Sequence, residues 1–157
     1  MTAGTESRGT DHEAGSAPLS LRGLVGPALK RAHHLLHSEA GRCLEPLGLR
    51  GATYAALSVI CDRPGLRQGE LAGVLSAERS NTVGTVEALE AAGWIERRRI
   101  EGDRRVWTLL PTEAGRSLCR RADALMQAQE DRMLAALPPR DRARLITLLE
   151  RIAPPEG

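Results

Sequence analysis

The sequence predicts a mainly α-helical protein that carries one small β-hairpin. Apolar residues recur at helical spacing through most of the chain. Two short strand-like segments flank a charged turn between residues 94 and 111. Aromatic residues make up only 2% of the 157 residues. The core must therefore be built from Leu, Val, Ile and Ala, as is typical of packed helices.

Composition limits the classes of protein to which the chain can belong. Hydrophobic residues are 41% and charged residues 27%, the balance of a soluble globular chain. A net charge of +2 argues against a uniformly basic protein that coats nucleic acid. An odd count of three cysteines, no apolar leader and no long apolar run favour a reducing, cytoplasmic location away from the membrane.

The N-terminal part predicts a tail and two helices. Residues 1–17 are polar and rich in Gly, Ser and Thr, which predicts a flexible tail. Apolar spacing then predicts a long helix over Leu19–Leu47, bent near Gly26-Pro27. A more apolar helix is expected over Gly51–Asp62, where Pro64-Gly65 stops it.

The middle of the chain predicts two helices joined by a short turn, followed by the hairpin. The helices are expected over Arg67–Leu75 and Arg79–Ala92, with a turn at Ser76–Glu78. Gly93 would end the second helix, and a strand would begin at Trp94. The buried stripe of the second helix is predicted to contain Val83, Val86 and Leu89. This order predicts a winged helix-turn-helix domain over residues 50–111.

The C-terminal part predicts two further helices. Thr112 is a suitable N-cap for a helix that runs to about Leu137. A last helix is expected over Arg140–Ile152. The helices of residues 18–48 and 112–153 carry apolar faces that need partners. We therefore expect them to form a dimerisation region in a two-fold homodimer.

Motifs in residues 65–115 resemble the MarR family of bacterial transcription regulators. The resemblance extends over about residues 19–152, and its most specific part lies between residues 89 and 105. The helix before the turn is matched by Gly65-Leu66-Arg67-Gln68-Gly69-Glu70-Leu71-Ala72. The other matching stretches are Leu89-Glu90-Ala91-Ala92-Gly93-Trp94-Ile95-Glu96-Arg97, Gly102-Asp103-Arg104-Arg105 and Pro111-Thr112-Glu113-Ala114-Gly115.

The resemblance implies a homodimer that binds a short inverted-repeat operator. Such a protein usually acts as a repressor, and a small molecule or an oxidant releases it from DNA. The chain departs from the family pattern at Gly84, Ala88 and Ala92, where relatives often carry basic residues. Pro111 also replaces the usual Leu. The recognition helix is therefore expected to have few cations.

Candidate DNA-binding residues lie on the two middle helices and on the hairpin. Arginines at the hairpin tip suit insertion into the minor groove. Polar residues at the start of the second helix suit phosphates or base edges, although they are also suitable helix caps. The set is Arg67, Gln68, Arg79, Ser80, Asn81, Thr82, Thr85, Arg97, Arg99, Asp103, Arg104 and Arg105.

Three consecutive arginines on the first strand cannot all face DNA. Arg97 and Arg99 share one face and Arg98 lies on the other. We expect at least one of them to be structural, or to pair with Glu96 or Glu101. At the hairpin tip, Asp103 would orient one of the inserting arginines by a charge-assisted hydrogen bond, and the alternative is a solvated turn.

A small-molecule effector would be expected near the first, second and Thr112 helices. The candidate pocket residues are His33, His37, Tyr54, Ser58 and Arg116. His33 and His37 have the spacing of a metal pair, but no second ligand group accompanies them, so no metal or cofactor is predicted.

The cysteines leave a redox alternative open. Cys61 lies in an apolar helix and should be inert, and a buried structural role is also the expected interpretation of Cys43. The arginines at positions 116, 120 and 121 could lower the pKa of Cys119, although a buried structural thiol is the other interpretation. The alternatives are therefore a redox-sensing regulator of the same fold, or a winged-helix module that binds protein rather than DNA. The sequence contains no recognisable set of catalytic residues, so an enzyme is not predicted.

Overall fold

The computed structural model describes residues 23–75, 79–100 and 103–154, with the backbone alone at residues 79, 80, 100 and 103–106. Residues 23–33 and 34–154 are two separate units. The predicted tail and the predicted turn at Ser76–Glu78 lie outside the described residues. The helices are α1 (Val25–Leu44), a short 3₁₀ helix (Glu45–Leu47), α2 (Gly51–Asp62), α3 (Gln68–Val74), α4 (Arg79–Ala91), α5 (Glu113–Met133) and α6 (Pro139–Ile152), and the strands are β1 (Ile95–Ile100) and β2 (Asp103–Pro111).

The first helix begins later than its apolar spacing predicts. Gly23 has a φ of 90°, and helical backbone begins at Val25. Pro27 therefore lies in the first turn of α1, where its missing N–H leaves no helical bond unmade. The predicted bend is thus a helix start. The part of the prediction before Gly23 lies outside the described residues.

The predicted boundaries elsewhere agree closely with the structure. α2 covers the predicted residues, and Gly93 ends α4 with a left-handed φ of 72°. Thr112 caps α5 by accepting a hydrogen bond from the backbone N–H of Gly115. α5 ends at Met133 rather than near Leu137, because a turn separates it from α6.

One hydrophobic core joins the elements of residues 34–154. Its largest fully buried side chains come from the end of α1, from α2, α3 and α4, and from β2; they are Leu44, Leu57, Ile60, Leu71, Val86, Leu89 and Leu109. α4 packs against α2, α3 and β1, and α5 packs against α2 and β2. By contrast, no residue of α6 is buried in the described structure.

The hairpin is antiparallel and is attached to the helices at its base. Arg97 of β1 lies opposite Leu109 of β2, and Arg99 lies opposite Trp107. The segment before α3 also pairs with β2, because Arg67 and Thr108 form an isolated antiparallel bridge. Leu109 also donates its backbone N–H to the Leu66 carbonyl at 2.9 Å. The hairpin base is therefore joined directly to the start of α3.

Candidate nucleic-acid interface

The start of α3 presents two of the predicted DNA-binding residues. Arg67 occupies the N-cap position, and its backbone N–H donates to the Glu70 carboxylate at 2.6 Å. Its side chain is exposed, while that of Gln68 is half-buried at the first helical position. This local capping holds the first turn of α3 beside the base of the hairpin.

α4 turns a different face to the core than the sequence predicts. Thr82 is 2% exposed and lies inside with Val86 and Leu89, whereas Val83 is 41% exposed. The expectations that Thr82 contacts DNA and that Val83 is buried are both at odds with this packing. Positions 82, 86 and 89 span about 60° of a helix, while positions 83, 86 and 89 span about 120°. The narrower stripe packs more completely against a core.

Among the side chains that the structure describes, those on the outward side of α4 from Asn81 to Thr85 are uncharged. Asn81 is exposed, and Thr85 donates its hydroxyl to the Asn81 carbonyl oxygen at 2.9 Å, within the helix. Gly84 and Ala88 are exposed and add neither charge nor bulk. The side chains of Arg79 and Ser80 lie outside the described set, so their predicted contacts stay predictions.

Arg97 connects the hairpin to α4 instead of facing outward. Its side chain is only 28% exposed, and its Nε lies 3.1 Å from a carboxylate oxygen of Glu90. Neither Nε nor Nη2 has a hydrogen bond of good geometry within the described residues. The structure thus gives Arg97 the structural role that the sequence left open for one of the three arginines.

The other two arginines of β1 remain at the surface. Arg98 forms an ion pair with Glu96, as the sequence suggested for one member of the run. The guanidinium of Arg99 lies over the indole of Trp107, 4.7 Å from the ring centroid. Both residues are exposed, Trp107 at 45%. This stacked pair offers a cation and an aromatic surface on the Arg97 face of the hairpin.

Residues 101 and 102 lie outside the described residues, and the positions next to them, 100 and 103–106, are described by their backbone only. Asp103 begins β2 and lies opposite Ile100, where the strand register shifts. The side chains of Asp103, Arg104 and Arg105 are outside the described set, so their roles at the tip stay predictions.

The base of the hairpin meets α5 at one tightly packed junction. Thr112 donates its backbone N–H to the Trp94 carbonyl at 3.0 Å and its hydroxyl to the Gly93 carbonyl at 2.8 Å. The same hydroxyl oxygen accepts the Gly115 N–H at 3.0 Å. A Cβ on Gly115 would lie 1.9 Å from the Trp94 oxygen, so glycine is required there.

A polar cluster lies where α2 faces α5. The hydroxyl of Tyr54 donates to Asp123 at 2.8 Å, and the Cys119 thiol lies 3.6 Å from the other Asp123 oxygen. Burial, followed by the Asp123 carboxylate, raises the pKa of Tyr54. Burial, the neighbouring Cys61 and Asp123 raise the pKa of Cys119 to about 12.

Of the two interpretations of Cys119, the structure agrees with the buried structural thiol, and the lowering of its pKa by nearby arginines is wrong. Arg116, which the sequence placed beside Cys119, acts instead on Cys61, where its charge opposes but does not overcome the effect of burial. The pKa of Cys61 is raised, in agreement with the expected inert thiol. Cys43 donates to the Leu125 carbonyl at 3.4 Å.

The predicted pocket residues fall into separate places. Tyr54 and Ser58 lie one turn apart on α2, the helix that packs against α5 and its Arg116. His37 instead lines a groove of about 490 Å³ with Gly41, Glu45 and residues 48–51. His33 belongs to the unit of residues 23–33, so its pocket role stays a prediction.

The described residues contain neither a metal-binding cluster nor a membrane-spanning helix. Within this part of the chain, no three His, Cys, Asp or Glu side chains come together as ligands. None of the described helices is long and apolar enough to cross a bilayer.

Comparisons with known proteins identify the family. The MarR family model matches residues 52–107. The transcriptional repressor Rv2887 of Mycobacterium tuberculosis is 31% identical over 130 residues, which cover 82% of this chain and 92% of the repressor. The regulator BilQ of Clostridium symbiosum is 34% identical over 90 residues, 57% of this chain, and this match covers only 62% of BilQ.

Solved structures of the repressor CouR have the same fold. CouR bound to a 23-mer DNA duplex superposes with a TM-score of 0.80 at 35% identity, covering 85% of this chain and 95% of CouR. CouR from Rhodococcus jostii RHA1 bound to p-coumaroyl-CoA superposes with a TM-score of 0.78 at 27% identity. The match covers 89% of this chain and 99% of CouR. These comparisons confirm the predicted winged-helix fold, and the relatives are regulators rather than enzymes. The chain belongs to the MarR family of transcription regulators.

Proposed function

We propose that the protein is a dimeric repressor that binds a pseudo-palindromic operator in duplex DNA and is released by a small apolar or aromatic ligand. The observation that carries this proposal is the joined lobe of α3, α4 and hairpin. Its backbone resembles that of a repressor seen on a 23-mer duplex. Because its target would be chromosomal DNA, we place the protein in the cytoplasm.

Within the proposed complex, α4 enters the major groove and the hairpin reaches the adjacent minor groove. Arg104 and Arg105 would insert at the hairpin tip, with Asp103 orienting them. Arg99 would contact a phosphate from its position over Trp107. The remaining proposed contacts come from Arg67, Gln68, Arg79, Ser80, Asn81 and Thr85, while Thr82 and Arg97 act inside the lobe.

The homodimer would cover the exposed apolar faces of the terminal helices. On α6, Leu145, Ile146, Leu148 and Ile152 are exposed. On α1, Val25, Leu29 and Leu35 are exposed as well. Nine of the twelve exposed large hydrophobic residues in the described chain lie within residues 18–48 and 112–153. They favour a partner surface, and a second copy supplies it with two-fold symmetry. Residues 18–48 and 112–153 form this proposed region.

DNA binding is tested by fluorescence anisotropy on an inverted repeat selected from random duplexes. If each protomer neutralises about three phosphates, the logarithm of the binding constant falls against the logarithm of salt concentration with a slope of about −5. The double variant Arg104→Ala, Arg105→Ala is expected to bind weakly and to show a shallower slope. Its matched control is Arg120→Ala, Arg121→Ala, which removes equal charge from exposed positions on α5.

The outcome separates the two classes of protein that the sequence left open. A slope near zero for a dimeric wild-type protein would contradict DNA binding and favour a protein-interaction module. Equal losses in the two double variants would contradict the role of the hairpin tip, because charge alone would then explain the effect.

Ligand control is supported by the face shared by α2 and α5. Tyr54, Ser58 and Arg116 lie on the two packed helices, and CouR, of the same fold, is known with p-coumaroyl-CoA bound. A ligand there would favour a spacing of the two lobes that does not suit DNA. Aromatic acids and their coenzyme A thioesters are the compounds to screen for release of DNA. Failure of all of them to change DNA affinity at saturating concentration would contradict this part of the proposal.

Oxidative release is the less favoured alternative. Burial raises the pKa of both Cys61 and Cys119, which suppresses the reactive thiolates. Millimolar hydrogen peroxide should therefore leave DNA affinity unchanged over minutes. Release that Cys119→Ser abolishes would restore the redox alternative.

A further inference from the structure

An exposed valine occupies the outward side of the proposed recognition helix. Val83 is 41% exposed, although its neighbours Thr82 and Val86 are buried. It borders a groove of about 330 Å³ that Gln68, Gly69 and Ala72 of α3 also line. A branched apolar side chain thus stands at the rim of an apolar recess, between the two helices of the helix-turn-helix.

The residues around Val83 leave this recess open. Within the described residues, a Cβ added to Gly84 or to Gly69 would meet no heavy atom within 4 Å. Thr85 donates its hydroxyl proton to the Asn81 carbonyl, so towards a base edge it can offer only its oxygen as an acceptor. From Val83 to Ala88 the chain has only one charged residue, Glu87, and it is an acid that would repel phosphates.

This chemistry matches one feature of the major groove. Among the four base pairs, only those with thymine present an apolar group there, the 5-methyl group, and small apolar side chains contact it. A valine beside open space can accept that methyl group, whereas its own side chain has no donor or acceptor for the hydrogen-bonding groups of guanine or cytosine. Gln68, which also lines the recess, is the polar side chain described there. The methyl group would in turn cover the exposed part of Val83.

We propose that Val83 is a specificity-determining residue that packs against the 5-methyl group of a thymine in each operator half-site. The inference rests on the proposed DNA binding and deepens it, since it assigns base preference to apolar contact rather than to a cation on α4. Burial of one methyl group corresponds to about a fourfold change in affinity, and hence about fifteenfold for two half-sites.

Deoxyuridine provides the test because it lacks only the methyl group of thymidine and keeps its base pairing. Each thymine of the selected operator is replaced in both half-sites, one position at a time. For the wild-type protein we expect one position at which affinity falls about fifteenfold. For Val83→Ala we expect this loss to shrink to less than about threefold on the same duplexes.

Val74→Ala is the matched control, since Val74 is 43% exposed on α3, outside the residues that line the recess. It should keep the full response to deoxyuridine. Urea midpoints check that both variants fold, as the exposure of both valines predicts.

The outcomes distinguish this inference from the proposed function. Wild-type binding with a steep salt slope but no response to deoxyuridine at any position would overturn the role of Val83 alone. An undiminished response in Val83→Ala would do the same. A wild-type salt slope near zero would overturn DNA binding itself, and the inference with it.

Discussion

Replacing Gly115 by alanine perturbs the junction where α5 meets the base of the hairpin. A Cβ there would lie 1.9 Å from the Trp94 carbonyl oxygen and 2.9 Å from its carbon. Real Cβ contacts essentially never fall below 3.0 Å, so α5 and the hairpin base must separate by at least 3.0 − 1.9 = 1.1 Å. The obstacle is backbone on both sides, which cannot turn aside as a flexible side chain would.

The expected loss of stability follows from the contacts that this movement disturbs. The Thr112 hydroxyl bonds to Gly93 at 2.8 Å, and the Thr112 N–H bonds to Trp94 at 3.0 Å. Each such bond contributes about 1 kcal/mol, and overpacking typically costs about 1 to 3 kcal/mol. The gain in helix propensity from Gly to Ala returns about 1 kcal/mol. We therefore expect Gly115→Ala to lower the free energy of unfolding by about 3 kcal/mol.

Urea unfolding followed by circular dichroism, at one fixed protein concentration, measures this loss. Gly84→Ala is the matched control, because Gly84 is also helical but its added Cβ meets no described atom within 4 Å. That variant should gain up to about 1 kcal/mol. The packing argument is refuted if Gly115→Ala loses less than about 1 kcal/mol, or if both variants shift stability in the same direction.

Three further predictions concern a helix cap, an ion pair and a buried thiol. Thr112→Ala removes the cap of α5 and should cost about 1 to 2 kcal/mol in urea unfolding, most of which Thr112→Ser restores. Glu90→Gln deprives the half-buried Arg97 of its carboxylate and should cost about 1 kcal/mol. The folded Cys119 thiol has a pKa of about 12 against its ordinary 9.0, so the unfolded chain loses this proton first. Stability should therefore fall between pH 9 and 12, by up to about 1.4 kcal/mol per pH unit, and Cys119→Ser should flatten that decline.

Each of these predictions has an internal control. For the α5 cap, equal urea midpoints of Thr112→Ala and the wild-type protein would contradict the stabilising role of the Thr112 side chain. For the ion pair, a double-mutant cycle with Arg97→Met should show coupling, and strict additivity would mean that the two side chains do not interact. For the alkaline decline, Cys43→Ser should leave the slope unchanged, whereas an equal flattening would assign the effect to thiols in general.

Local signals made much of the framework predictable. Gly93 adopts the left-handed conformation expected at a helix end, and Thr112 accepts the N-cap bond expected at a helix start. Each of these signals involves residues within one turn of one another. The boundaries of α2 were predictable for the same reason, since Gly48 precedes the helix and Pro64-Gly65 follow it, and both disfavour helical backbone.

Contacts distant in sequence were not predictable from pattern. The bridge between Arg67 and Thr108 joins residues 41 positions apart, and Arg67 lies in no strand-like segment of the sequence. From the sequence, Arg97 was a candidate DNA-binding arginine, and only the folded structure shows that it lies beside Glu90. Cys119 has arginines as sequence neighbours, yet burial decides its pKa.

The site was predictable in outline but not in the rotation of α4. Two apolar stripes are compatible with the sequence, one through Thr82 and one through Val83. The choice depends on how α2 and α3 pack against the helix, which the local sequence does not specify. A threonine can enter the core and a valine remain outside when the narrower stripe is the better fit.

The hairpin base has three independent attachments: to α3 through the Arg67–Thr108 bridge, to α4 through Arg97 and Glu90, and to α5 through Thr112 and Trp94. These three contacts restrain the angle between the hairpin base and α4. In the proposed dimer the remaining adjustable coordinate is the distance between two stiff lobes. In the proposed repressor, an effector would release the operator by changing that one distance.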